Sequence, residues 1–373
     1  MKGSFKDLGA VYTPEDTPII SFLCNKTIYS YILDRLNQHF GTKYQYSDPF
    51  SVFQEINKDH LVFLVKIVKD IKILDPAVGS GHFLLEALNT LENIYHYLIK
   101  VDLCKWNDFQ IREWIVYNNL FGVDISLEAV TKCKTRLTSV LNSIHSNHDL
   151  SQVLSKIESH IRIGNSLTGS LIDSKNIRSV TQLDFHWNTE FPEIMKQNGF
   201  DIVIGNPPWN ILKPLEKEFF SEYDSRLTKY NVDKREAKQI IQDLLKSKEI
   251  SQKWQEYRRS IRDQAKFFRS NEFNYQSDQM EVAGTLKTVS GDFNLYKLFL
   301  ERFYQLTKPE GYCGIIIPSG IHTDAGTKGL RRLLFDKSNV GDLYCFENRK
   351  GIFPSIHKSF KFDLLIFKKK GLT

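Results

Sequence analysis

The stretch ILDPAVGSGHFLLEAL, residues 73–88, decides the fold. It reads in order as a short strand, a glycine-rich turn and a helix. Gly79 and Gly81 let the backbone turn tightly and approach a ligand closely. A helix beginning near His82 points its first, unbonded N–H groups into the same space. The result is a nucleotide-type cradle. It is not the Gly-x-Gly-x-x-Gly dinucleotide fingerprint, and it lacks the Gly-Lys-Ser/Thr of a phosphate loop. Asp75 stands just before the turn. A carboxylate there repels a phosphate and suits a ligand with a cationic group, such as an amine or a sulfonium.

Similar short apolar runs recur on both sides of this unit. IKILDPA (Ile71 to Ala77), LFGVDIS (Leu120 to Ser126), HIRIGNS (His160 to Ser166), DIVIGNPP (Asp201 to Pro208) and GYCGIIIPSG (Gly311 to Gly320) are separated mostly by helical stretches. Near-continuous apolar runs of this length describe parallel strands buried on both faces. VGDLYCFE and FKFDLLIFKK flank a loop, NRKGIFPSIHKS, with no long helix between them, which favours an antiparallel pair closing the sheet. The expected architecture is doubly wound α/β with an antiparallel edge, and its ligand site lies at the carboxyl ends of the strands.

Asp124 ends the second run, where an acid can accept hydrogen bonds from ribose hydroxyls. It lies about forty residues beyond Gly81 rather than the roughly twenty of a compact βαβ unit, and a longer helical connection accounts for that. Asn165 and Ser166 end the third run and could read an adenine edge. An acid at a strand end is, taken alone, more often a helix cap. Together and in this order the three points indicate S-adenosyl-L-methionine.

The fourth run ends in Asn206-Pro207-Pro208-Trp209. Adjacent prolines stop any strand or helix, so the tetrapeptide sits at a rim with a stiff backbone. It is either a loop with a packed tryptophan or a purpose-built pocket.

With Tyr12-Thr13-Pro14 near the N-terminus, then DPAVGSGHF, then NPPW, the chain resembles the amino-methylating DNA methyltransferases of restriction-modification systems. The motif order is similar to the group that methylates adenine N6. DPAVGSGHFLL, NPPW, the long helical insertion, PSGIHTDAGTKGLRR and FENRKGIFPSIHKSFKF look most like the large Eco57I-type enzymes and their phage-defence relatives. The resemblance spans almost the whole chain. It implies a class I, Rossmann-like S-adenosylmethionine-dependent fold: a mostly parallel seven-stranded sheet with one antiparallel strand. It also implies that Tyr12, Thr13 and Pro14 belong to the cofactor site, on its methionine side. Asp75, Ala77, Gly79 and Gly81 would surround the amino-acid part, with Pro76 and Ser80 completing the turn. Asp124 would hold the ribose, and Asn165, with Ser166 beside it, would face the adenine. The family often has an aspartate at the position of Asn165.

The implied reaction is an in-line displacement at a sulfonium methyl by an exocyclic amine. That amine is a poor nucleophile because its lone pair is delocalised into the ring. Two acceptors aimed at it would draw the lone pair back and position it. Asn206 offers a side-chain oxygen and Pro207 a carbonyl, while Pro208 stiffens the turn. No strong base is needed before attack. An amine inside a duplex is out of reach, so the base must be flipped out, and Trp209 is the natural stacking face. Phe353 or Phe360 is a candidate second wall. Arg349, Lys350, His357, Lys358 and Lys361 make the final loop basic, which suits phosphates or simply an exposed turn.

The 373 residues carry a formal net charge of +6, which permits an anionic partner without demanding one. The expected divisions are an N-terminal helical segment with the YTP motif (1–69), the cofactor-binding half with the catalytic motif (70–210), a helical insertion (211–289) and the C-terminal strands of the core (290–373). Five scattered cysteines without Cys-x-x-Cys spacing read as reduced thiols, and no metal site is expected. His145 and His148 have ligand-like spacing but no evident partner, and Glu236-x-Lys238 is background. No signal peptide or membrane-spanning run is seen, so the expected location is cytoplasmic. Double-stranded DNA is the expected partner. The last strand lies close to Thr373, and site specificity is expected to need a target-recognition domain or subunit, with a nuclease as a further partner. Rival readings are an enzyme acting on cytosine N4, guanine N2 of RNA or a protein glutamine, and a non-catalytic DNA-binding scaffold. Donor binding separates the scaffold from the enzymes.

Overall fold

The computed structural model describes residues 18–45, 52–54, 56–142, 151–169, 171, 183–228, 233–268, 272–282, 285–290 and 293–371. Tyr12, Thr13, Pro14, His145 and His148 lie outside the described residues.

Two helices, α1 (Pro18–Phe40) and α2 (Lys58–Asp70), precede the glycine-rich unit. Strand β1 (Ile73–Asp75) leads through the turn into α3 (His82–Lys100), and α4 (Asp108–Asn118) leads into β2 (Leu120–Asp124). This pair of helices explains the long spacing between Gly81 and Asp124. Asn107 caps α4 in a reciprocal box with Gln110, satisfying two helix-end donors. Next come α5 (Leu127–Asn142), α6 (Ser151–His160), β3 (Ile161–Ile163) and β4 (Phe200–Gly205). All six residues of β4 are buried, as expected of a central parallel strand.

The remaining strands are β5 (Ser277–Val282), β6 (Thr285–Ser290), β7 (Thr307–Pro318), β8 (Ser338–Glu347) and β9 (Lys361–Lys369). Seven of them form one sheet in the order β3-β2-β1-β4-β7-β9-β8. Only β9 runs against its neighbours, pairing antiparallel with both β7 and β8. This is the class I methyltransferase sheet. One detail differs from the sequence reading: the antiparallel strand is not at the edge but one strand in, and β8 forms the edge. The hairpin-like order of β8 and β9 is compatible with either placement, because sequence adjacency says only that the two strands pair.

From β1 the chain builds outward to β3, then returns to place β4 on the other flank of β1. The order therefore reverses between β1 and β4, where the connections leave in opposite directions and open a crevice at the carboxyl ends. Asp75 and Gly205 end those two strands. At the opposite end, Asp201 is buried but satisfied: the Lys72 N–H donates to it at 2.9 Å, Tyr31 donates its hydroxyl, and Lys308 pairs with it. That carboxylate anchors the sheet and takes no part in the crevice.

Between β4 and the helix Leu295–Leu306 lie the helices Glu216–Ser221, Lys234–Leu244 and Lys248–Phe267, then the antiparallel hairpin β5–β6. The hairpin adds two strands to the segment expected here as a helical insertion. Phe220, Leu227, Ile240 and Trp254 give the helices a small core of their own. Phe268 and Phe273 belong instead to the main core. Among the described residues no helix is long and apolar enough to cross a membrane.

Candidate active site

The turn after β1 is built by three contacts. The Val78 N–H donates to the Val123 carbonyl at 3.0 Å, tying the turn to β2. The Gly79 N–H donates to Asp124 Oδ2 at 2.9 Å, and the other oxygen of Asp124 accepts from the Ser126 N–H at 2.9 Å. Gly79 has φ 52° and a side chain there would meet nothing, so the turn presents open space on that side. Gly81, with φ 91°, is constrained a second way: a Cβ there would come within 2.7 Å of Cys133 Sγ on α5. Gly81 also caps α3 without a side-chain bond, leaving first-turn N–H groups facing the crevice.

Asp75 is 1% exposed, and its Oδ1 accepts the Ala77 N–H at 3.0 Å. Burial pushes its carboxyl up to about 8, with Asp124 adding to the rise and the Ala77 N–H opposing it. At the end of β3, Asn165 Oδ1 accepts the Leu167 N–H at 3.1 Å, which folds that loop back on itself. The Ser166 hydroxyl donates to the Pro76 carbonyl at 2.6 Å. Ser166 thus braces the glycine-rich turn, a role its position in the sequence did not suggest.

A cavity of about 260 Å³ opens at the crevice. Asp75, Pro76, Ala77, Gly79 and Ser80 line it from the turn, and Asp124, Asn165 and Ser166 from the neighbouring strand ends. Asn206 and Pro208 line the same cavity from β4. The two motifs, more than a hundred residues apart, therefore open on one space. Gly81, Pro207 and Trp209 are not among the residues that line it.

Sequence reasoning missed several walls. Gln264 and Phe268, four apart at the end of the long helix Lys248–Phe267, reach the cavity, as do Leu295 and Phe299. The i,i+4 spacing of Gln264 and Phe268 puts them on one helix face, but nothing in it says which cavity that face meets. His82 also lines the space, with Arg136 hydrogen-bonded to its ring and Ser80 Oγ 3.5 Å from Nδ1. Its place directly after the second glycine was the available signal.

Gly205 is required by contact. A Cβ there would lie 2.6 Å from Asp75 Oδ1, a buried carboxylate already fixed by the Ala77 N–H. Gly205→Ala should destabilise the fold by about 1–3 kcal/mol, read as a lower midpoint of urea unfolding, because neither group can yield.

Trp209 is 8% exposed. Its ring stacks on Phe360 at 5.6 Å and 15°, leans on Phe362 at 6.3 Å and 29°, and meets Phe353 edge-on at 5.1 Å. Phe353 is fully buried, whereas Phe360 is 37% exposed. Asn348 fixes this wall, donating to the Phe353 carbonyl and accepting the Phe353 N–H, both at 2.9 Å. Of the basic residues of the loop, Arg349 pairs with Glu347 at 2.7 Å, while Lys350 and Lys358 are exposed.

A family model described as Eco57I restriction-modification methylase matches residues 118–353. A Methanocaldococcus jannaschii protein named as a type II restriction enzyme and methyltransferase is 33% identical over 193 residues, 48% of this chain and 16% of that protein. The type II restriction enzyme and methyltransferase RM.Eco57I of Escherichia coli is 24% identical over 319 residues, 80% of this chain and 25% of that protein. The adenine-specific methyltransferase PglX of Streptomyces coelicolor is 28% identical over 158 residues, 39% of this chain and 13% of that protein. The matched region thus spans between 13% and 25% of the length of these relatives.

Proposed function

The chain belongs to the Eco57I restriction-modification methylase family, and on that premise we propose that it methylates the N6 amine of an adenine rotated out of double-stranded DNA, within a restriction-modification or phage-defence system. S-adenosyl-L-methionine is the methyl donor of this family. The residues present fit it. Two carboxylates, Asp75 and Asp124, share the cavity, which disfavours a phosphate ligand and favours one bearing a sulfonium and an ammonium. Gly79 leaves a gap in which a ligand chain can lie against the backbone. When bound, the donor supplies a methyl group on a positively charged sulfur. In this reading Asp75 and the turn from Pro76 to Gly81 hold its amino-acid part, Asp124 its ribose and Asn165 its adenine.

The observation that carries the proposal is the shared cavity: Asn206 opens on the same space as Asp75 and Asp124. An amine seated beside Asn206 is then adjacent to the donor. The Asn206 side-chain oxygen and the Pro207 carbonyl accept its two hydrogens, localise its lone pair and hold it in line. Of the two acceptors only Asn206 lines the cavity, so the part given to the Pro207 carbonyl rests on the resemblance of the NPPW motif. The adenine-specific name of one relative favours adenine over cytosine. Target recognition would reside in sequence beyond the matched span or in a partner subunit, and a nuclease could accompany it.

The test is transfer of labelled methyl groups to DNA by this chain, alone and with its neighbouring segments or subunits. The modified base is then mapped at single-nucleotide resolution. Label on cytosine, RNA or protein instead of adenine would overturn the assignment.

The aromatic wall refines the picture. Trp209 is held from several sides, and its partly exposed neighbour Phe360 occupies one face. A base can stack there only after Phe360 moves, so Phe360 is the mobile half of the slot in this reading. Phe360→Ala should change stability by less than about 1 kcal/mol, because the ring is partly exposed. It should weaken binding of a duplex with a mismatched target adenine by about 5- to 100-fold, the range of one lost stacking contact. Equal binding by the two proteins would remove Phe360 from the slot.

A further inference from the structure

We propose that His322, Cys345 and Asp363 form a binding site for a thiophilic divalent cation such as Zn2+. The three come from three elements: the short turn of helix Gly320–Thr323 after β7, the edge strand β8, and β9. Their donor atoms, an imidazole nitrogen, a thiol sulfur and a carboxylate oxygen, lie within 4.8 Å of one another. Cys345 and Asp363 are direct partners in the antiparallel ladder, so their side chains leave the sheet on the same face. His322 Nδ1 sits 2.9 Å from Asp363 Oδ2.

A simple ion pair does not account for the arrangement. Asp363 is fully buried, and beyond His322 its carboxylate has as hydrogen-bonding neighbour among the described residues only the Cys345 thiol, whose contact is too loose to satisfy its second oxygen, Oδ1, by strict hydrogen-bond geometry. Buried carboxylates are ordinarily satisfied at both oxygens. Here the incompletely satisfied oxygen belongs to a group whose neighbours are a thiol and an imidazole. Burial and the Asp363 carboxylate push the Cys345 thiol up, and burial pushes Asp363 up against the opposing pull of Cys345 and His322. A dication would reverse that preference for both groups.

The donor set selects the metal class. Sulfur and imidazole nitrogen suit Zn2+ or Co2+, whereas Mg2+ and Ca2+ require oxygen ligands. Three protein ligands leave a fourth position, and the partial exposure of His322 and Cys345 opens it to water. Donors in a tetrahedral site are about 3.3–3.8 Å apart, so closure needs roughly 1 Å of movement, which two exposed side chains can supply. The neighbours Phe346 and Phe362 point to the opposite face, where Phe362 packs on both Phe346 and Trp209. A bound cation would therefore clasp β8, β9 and the turn after β7 directly behind the aromatic wall.

The experiment uses the full chain, freed of metal by a chelator and titrated with Co2+. The expected result is one equivalent bound with a thiolate-to-cobalt charge-transfer band in the near ultraviolet, bleached by added Zn2+. Cys345→Ser should abolish the band without altering the circular dichroism, since Cys345 is at the surface. Asp363→Asn should weaken binding by at least roughly tenfold, the loss that an outer-shell partner alone can cause. If Asp363→Asn does not fold, the Cys345 comparison decides alone. Absence of the band in the unaltered chain, or its persistence in Cys345→Ser, overturns the proposal.

Discussion

Asn206→Ala should lower methyl transfer by about 10²- to 10³-fold, the cost of removing one preorganised polar group from a transition state, while donor binding changes by no more than about threefold. The separation follows from position. Asn206 enters the cavity from β4, whereas the carboxylates assigned to the donor enter from β1 and β2. The amide oxygen matters only when an amine is present to donate to it. Asn206→Asp is the informative companion, because it keeps an acceptor oxygen at the same distance from the backbone and should retain more activity than the alanine variant. Radiolabel transfer measures the rate, and calorimetry with the donor measures the binding. If Asn206→Ala methylates at the unaltered rate, the acceptor mechanism fails. If it loses donor binding as well, Asn206 belongs to the donor site and the assignment of the two halves must be redrawn.

The parts of this site legible in the sequence are those where one short segment contains both the element and the chemistry. ILDPAVGSGH carries its strand, its turn, its carboxylate and its helix start in ten residues, and the structure places them together. The apolar runs that became β2, β4 and β7 were legible for the same reason, since a buried parallel strand must be apolar on both faces, whereas β3 is an edge strand with Ile163 exposed and is not buried as its run suggested. What was hidden depends on long-range placement. The run SDQMEVAGTLKTVS is polar and follows long helices, so its pairing as the hairpin β5–β6 was not apparent. Gln264 and Phe268 read as one face of a charged helix, and only the packing of that helix shows which cavity they close. His322, Cys345 and Asp363 have no motif spacing because three separate elements deliver them. Trp209 looked like an open platform, but the loop that carries Phe353 and Phe360 folds back and covers it.

Donor affinity should rise with pH and level off near pH 8, and Asp75 is the reason. Its carboxyl is raised to about 8 in the ligand-free chain, chiefly by burial. At neutral pH most molecules therefore hold it protonated, and a proton must leave before it can pair with a cationic ligand. Affinity should grow by up to about tenfold per pH unit below the raised value, or about 50-fold from pH 6 to 8. Above it the carboxylate is already formed and the gain stops. The same shift acts on folding with the opposite trend. A carboxyl raised above its unfolded value favours the folded state fully below about pH 4, and that contribution is lost as the pH climbs to about 8. The donor, by pairing with the ionised form, should restore stability where the bare chain loses it, so the thermal shift it produces should be larger at pH 8 than at pH 6. Asp75→Asn separates this from titration of the ligand itself. It keeps the shape and an oxygen for the Ala77 N–H but cannot ionise, so its affinity should be weak and lack the steep rise. Calorimetry in buffers of different ionisation enthalpy supplies the proton count: close to one proton released per donor bound at pH 6 for the unaltered chain, and none attributable to residue 75 in Asp75→Asn. An affinity that is flat from pH 6 to 8 in both proteins would mean that Asp75 does not meet a positive charge, and the cavity would then require a different ligand.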